Sequence, residues 1–266
     1  MQRTTALITG ASSGIGRDLA RLLAQHGHDV VLVARREAVL RELAAEMERA
    51  HGMRATVLPA DLSDPGAPEA LAARLRERGL QVDILVNNAG FGTYGPFATT
   101  DLATQMRLLR VNITALTHLT GLFLPGMLAR RAGRILNVAS TAAFQPGPFM
   151  AVYYASKAFV LSFSEALASE VRGSGVVVTA LCPGPTRTEF QTGARMQGSK
   201  LVRRLAFMDS EKVARLGYEG LMKGRSLVIP GLQNRLLAGL VRFLPRRVVI
   251  GAVRRVQSPS GDPPVP

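Results

Sequence analysis

The chain of 266 residues has no tryptophan, one cysteine and four histidines. A lone thiol, Cys182, closes no disulfide within one chain. A disulfide-built secreted scaffold and a multi-cysteine zinc site are therefore excluded. His26, His28, His51 and His118 follow no metal-ligand spacing, so no metal is expected. Acidic residues are scarce: 19 Asp and Glu against 33 Lys and Arg give a formal net charge of +14. Long apolar runs are also missing. The N-terminus, Met1-Gln-Arg-Thr-Thr-Ala-Leu-Ile, lacks the apolar stretch of a signal peptide. No clean run of about 18 apolar residues marks a spanning helix. Residues 228–256 come nearest, but Arg235, Arg242, Arg246 and Arg247 interrupt them. The expected compartment is the cytoplasm.

What the chain does have is enough apolar side chain, 47%, for one full core. Continuous apolar strands are expected at 4–9, 30–34, 55–59, 84–87, 134–139, 176–181 and 227–229. Amphipathic helices are expected at 14–27, 37–50, 68–78, 102–130, 151–172 and 210–223. Strands without polar alternation, separated by helices, imply an α/β fold: a doubly wound parallel sheet of about seven strands with helices on both faces. No linker breaks the alternation, so residues 1–230 read as one domain. A basic amphipathic extension at 231–257 and a proline-punctuated, disordered tail at 258–266 follow.

The first strand runs into Thr9-Gly10-Ala11-Ser12-Ser13-Gly14-Ile15-Gly16, and a helix begins there. Glycines in a strand–turn–helix let the backbone approach a pyrophosphate, which the free N–H groups of the new helix then face. The spacing is G-x-x-x-G-x-G rather than G-x-G-x-x-G. The second strand ends in Val33-Ala34-Arg35-Arg36, where a site for NAD would place a carboxylate. Two guanidinium groups in that position suit a 2′-phosphate, so NADP(H) is the expected cofactor.

These residues resemble the short-chain dehydrogenase/reductase family over about residues 4–230, in the branch near hydroxysteroid and 3-oxoacyl reductases. Five motifs stand in the family's order: Thr9 to Gly16; Asp61-Leu62; Asn87-Asn88-Ala89-Gly90; Ser140 with Tyr153 and Lys157; and Pro183-Gly184-Pro185-Thr186-Arg187-Thr188. The resemblance implies a Rossmann-like fold, with Asp61 and Leu62 beside the adenine ring. It places Asn88, Ala89 and Gly90 after the fourth strand, and Pro183, Gly184, Thr186 and Thr188 over the nicotinamide. It makes Tyr153 the general acid in reduction and base in oxidation, Ser140 the partner of the substrate oxygen, and Lys157 the holder of the nicotinamide ribose. Asn112 resembles the residue that keeps a water by the lysine. Tyr154 is adjacent, but only Tyr153 stands four residues before Lys157. A lysine ammonium one helical turn away is expected to lower the tyrosine pKa.

The expected reaction interconverts a ketone or aldehyde and an alcohol on a lipophilic substrate. The segment from Arg187 to about Phe207 mixes Phe190, Met196, Leu201, Val202, Leu205 and Phe207 with Arg195, Lys200, Arg203 and Arg204, as a lid over an acyl thioester or steroid-like ketone would. Met208 and Met222 are read as core. Residues 195–266 hold fourteen basic and four acidic residues. The extension within them is compatible with packing over the site, with a second subunit, or with an anionic membrane surface. Nothing resembles a nucleic-acid module, so no nucleic-acid partner is expected. The resemblance implies a homodimer or homotetramer through helices 102–130 and 151–172. The competing readings are an NADP(H)-binding sensor or scaffold without turnover, and a peripheral membrane protein.

Overall fold

The computed structural model describes residues 3–190, 194 and 207–258. Seven parallel strands form one sheet: β1 (Thr5–Thr9), β2 (Asp29–Val33), β3 (Ala55–Val57), β4 (Ile84–Asn87), β5 (Gly133–Val138), β6 (Val176–Leu181) and, at the edge after two further short strands, β9 (Leu227–Val228). Their order across the sheet is β3-β2-β1-β4-β5-β6-β9. The doubly wound parallel sheet expected from the sequence is the observed architecture. Alternate residues of one strand serve opposite cores. Ala6 and Ile8 pack with α1 (Gly14–Gln25), α2 (Glu37–His51) and α7 (Ser210–Met222). Leu7 packs on the other face with α3 (Ala67–Glu77), α5 (Leu116–Ala129) and α6 (Ala151–Glu170). Burial on both faces is why the strands read as unbroken apolar runs.

Strand order reverses between β1 and β4, and the crevice at their carboxyl ends is where such folds bind ligands. The expected strands and helices recur with boundaries shifted by a few residues. Three features differ from expectation. The helix at 102–130 is not uniform: α4 (Leu102–Leu109) widens into a π-helical turn at Arg110–Ala115 before α5. Two short strands, β7 (Thr186–Arg187) and β8 (Met208–Asp209), pair in parallel away from the main sheet. The C-terminal segment forms two helices, α8 (Leu232–Leu240) and α9 (Arg246–Gln257), joined by a 3₁₀ turn at Val241–Phe243.

The stretch Leu102–Ala129 is long and apolar enough to cross a membrane by length and composition, contrary to the sequence reading. Here it packs along the protein: α5 lies against β4, β5 and α3, while α4 lies against α6. Met208 and Met222 flank the core, as expected. Met196 and the lid residues Arg195, Lys200, Leu201, Val202, Arg203, Arg204 and Leu205 lie outside the described residues, as does the tail beyond Ser258.

A candidate active site at the sheet's switch point

A cleft of about 1100 Å³ opens above the carboxyl ends of the central strands. One half is built by the glycine turn. Gly14 sits at φ +53° as the chain turns into α1, and a Cβ there would lie 2.7 Å from Thr188 Cγ2. Gly16 has no room for a Cβ either, because Asn88 and the Gly10 carbonyl fill that space. Asn88 locks the turn: its Nδ2 donates to the carbonyls of Thr9 (3.0 Å) and Gly10 (3.2 Å). Thr9 Oγ1 in turn accepts from the Asn88 and Ala89 amides, both at 3.0 Å. Ser13 begins α1 without a side-chain cap, so the helix presents its first N–H groups to the cleft, where Gly14 and Ile15 lie on the wall.

At the far end Ser12, Arg35, Arg36, Asp61 and Leu62 line the same cleft. Arg36 donates to Ser12 Oγ (3.2 Å) and pairs with Glu189 at 2.9 Å. Burial disfavours the Asp61 carboxylate, but hydrogen bonds from Ser63 and the charge of Arg35 outweigh it and hold its pKa below the ordinary value. Uncapped helix amides, a backbone with no room for side chains, and paired guanidiniums at the rim fit a dinucleotide carrying an extra phosphate. Ala89, Gly90, Pro183, Gly184, Thr186 and Thr188 lie along the same trough.

The reactive group lies between the halves. Ser140 follows β5; its Oγ accepts from the Ala142 amide at 3.1 Å. Tyr153 and Lys157 share one face of α6, with Lys157 Nζ 5.9 Å from the Tyr153 ring centre. Lys157 Nζ donates to the Val138 carbonyl at 2.7 Å. Burial depresses its pKa to about 8. The Tyr153 ring is half-buried in the cleft wall. Burial pushes the Tyr153 hydroxyl up to about 12, with the Ser140 side chain pulling the other way. This differs from the expectation that Lys157 lowers the tyrosine: desolvation of the phenolate dominates, the opposing pull comes from Ser140, and the Lys157 nitrogen turns toward Val138.

Asn112 enters through the π turn. Its Oδ1 accepts from the Phe91 amide (3.1 Å), and its Nδ2 donates to the Phe91 carbonyl (3.0 Å) and Ser156 Oγ (3.0 Å). A Cβ on Gly90 would lie 3.1 Å from Asn112 Oδ1 and 3.4 Å from Lys157 Nζ, so that glycine separates the two groups. The amide thus clamps the loop after β4 to α6. Beneath it a buried polar ladder ties the layers. Asn87 Nδ2 donates to Thr120 Oγ1 (3.1 Å) and Asn137 Oδ1 (2.9 Å), and Asn137 Nδ2 donates to Ser164 Oγ (2.9 Å). Cys182 is fully buried, and burial pushes its thiol up to about 12, which leaves it in the thiol form.

Several residues of the site were not singled out by sequence. The outer wall comes from the C-terminal helices: Leu237, Val241, Leu244, Val253 and Val256 line the cleft with Met150 and Phe190. The C-terminal helices pack over the site, one of the three placements compatible with the sequence. Gln257 is fully buried; its Nε2 donates to the Tyr154 hydroxyl, and its carbonyl accepts from Tyr94 at 2.5 Å. The clue in the sequence is Gln257 itself, an uncharged amide closing a run of Arg and Val.

A family model described as short chain dehydrogenase matches residues 4–198. The chain is 40% identical over 181 residues to 17-beta-hydroxysteroid dehydrogenase type 3 of Mus musculus, covering 67% of this chain and 58% of that protein. It is 36% identical over 184 residues to the very-long-chain 3-oxoacyl-CoA reductase of Anas platyrhynchos, covering 67% of this chain and again 58% of that protein. The matched region thus spans little more than half of either relative. A solved structure of a short-chain dehydrogenase from Sphingobium yanoikuyae in complex with NADPH superposes with a TM-score of 0.80 at 35% identity, covering 91% of this chain and 96% of that one.

Proposed function

The chain belongs to the short-chain dehydrogenase family, and from that premise we propose that it is an NADP(H)-dependent oxidoreductase interconverting a ketone or aldehyde and an alcohol on a lipophilic substrate. The observation that carries this reading is the convergence of Ser140, Tyr153 and Lys157 on one cleft that also holds the glycine turn and the two arginines. NADPH, when bound, supplies the hydride. Arg35 and Arg36 would hold its 2′-phosphate, the amides opening α1 its pyrophosphate, and Lys157 its nicotinamide ribose. Tyr153 keeps its proton at neutral pH and delivers it from Oη to the substrate oxygen. Ser140 Oγ orients that oxygen as negative charge grows on it. In oxidation the Tyr153 hydroxyl would act as the base through its phenolate, the form that burial disfavours.

The apolar wall from α8 and α9 supports a lipophilic substrate, and the steroid dehydrogenase and oxoacyl reductase among the relatives agree with it. We also propose a homo-oligomer formed through α4, α5 and α6, whose outward faces expose Leu102, Met106, Leu128 and Phe159.

The test is fluorescence titration with NADPH and NADH, followed by NADPH-oxidation assays on steroid ketones, 3-oxoacyl thioesters and bulky aryl ketones. Tight NADPH binding with turnover, abolished by Tyr153→Phe while binding persists, is expected. Tight binding without turnover of any carbonyl would favour the sensor reading. Unaltered turnover in Tyr153→Phe would remove that residue from the reaction.

A further inference from the structure

We propose that α8 and α9 dock the protein on an anionic lipid surface, with the mouth of the cleft turned to the lipid. Among the described residues, nine of the fourteen large apolar side chains left exposed fall between Leu232 and Val256. Phe243, in the turn between the two helices, is 86% exposed, and Leu232, Leu236 and Val248 are more than half exposed. Such a concentration is far from the scattered apolar residues of an ordinary surface.

The charge on this surface has one sign. Arg235, Arg242, Arg246, Arg247, Arg254 and Arg255 are all exposed. No Asp or Glu occurs from residue 232 to 258. Apolar side chains interleaved with arginine match the acyl boundary and the phosphate layer of an anionic membrane. A second copy of this chain would bring a surface of the same positive charge, which repulsion between the two opposes.

The apolar surface is continuous with the cleft. Leu237, Leu240, Leu244 and Val256 line the interior and are also exposed outside. A lipophilic ketone dissolved in the bilayer would meet these apolar side chains on its way in. That route rests on the reductase reading; the docking does not.

The experiment is flotation of the full chain with phosphatidylcholine vesicles, with and without phosphatidylglycerol. The protein is expected to float with the anionic vesicles and much less with the neutral ones. Each arginine removed should cut binding about fivefold, so Arg246→Ala with Arg247→Ala should weaken it more than tenfold. Leu236→Ser with Phe243→Ser should weaken it on its own. These four side chains are exposed and lie off the cleft, so NADPH binding measured on the same samples reports folding separately. Three results would overturn the proposal: no flotation, flotation indifferent to phosphatidylglycerol and to the arginines, or self-association abolished by Phe243→Ser without any vesicle binding. The last would give the surface to a second copy.

Discussion

Tyr154→Phe separates the two adjacent tyrosines. Tyr153 faces Ser140 and Lys157; Tyr154 points its hydroxyl at Gln257 of α9. Removing that oxygen leaves the catalytic group untouched and deprives Gln257 Nε2 of its acceptor. Gln257 is fully buried, and its Oε1 already has no partner. The variant would therefore bury an amide with neither end satisfied. Leaving one such group unpaired costs about 1–3 kcal/mol, a factor of roughly 5 to 150 in an equilibrium. The cost falls on the docking of α9, because the core strands take no part in the bond. Tyr94, bonded to the Gln257 carbonyl, still holds the backbone, so the helix should open more often without detaching. Hydrogen exchange over residues 246–257 should quicken by that factor while exchange in the sheet stays unchanged. Trypsin should cut faster at the exposed Arg254 and Arg255. Turnover per molecule with a small ketone, which needs little of the outer wall, should stay within a few-fold of the parent. Loss of turnover as complete as in Tyr153→Phe would refute the assignment. Unchanged exchange at 246–257 would refute the reasoning about Gln257.

Three further outcomes follow from the same geometry. With Tyr153 raised to about 12 and Lys157 lowered to about 8, ketone reduction should hold level through neutral pH and lose activity only as the Lys157 ammonium titrates above about pH 8; a profile controlled by a group near pH 6 contradicts this. Glu189→Gln releases Arg36 from a half-exposed ion pair worth at most about 1 kcal/mol, so NADPH affinity should rise by up to about fivefold with NADH unchanged; an equal gain for both would remove Arg36 from phosphate recognition. Phe159→Glu places a charge on the exposed face of α6 and should lower the sedimentation mass of the oligomer while sparing cofactor binding; an unaltered mass would move the interface elsewhere.

Much of this was legible from local pattern. The strands announce themselves because both faces of the sheet are covered, and the glycine turn because no other residue fits beside Asn88 and Thr188. What was hidden depends on contacts distant in sequence. Arg36 meets Glu189 across 153 positions, and Tyr154 meets Gln257 across 103. The π turn was hidden for another reason. Residues 102–130 keep an apolar pattern that suits a regular helix, and the extra residue shows only in the inward amide of Asn112. The Tyr153 pKa was misjudged because spacing reveals the neighbouring amine but not the desolvation around the hydroxyl.

The C-terminal wall has a consequence for how such a protein can change over time. Residues of the glycine turn, the arginine pair and the proton-transfer group all lie between positions 10 and 188, whereas the outer wall is drawn largely from positions 233–257. Two short helices can drift in sequence, or be replaced by others, without disturbing the groups that bind the dinucleotide and move the proton. A gene encoding this arrangement can acquire a new substrate by rewriting about its last eighth, and chimaeras joined near Gly231 should exchange substrate preference while keeping their cofactor.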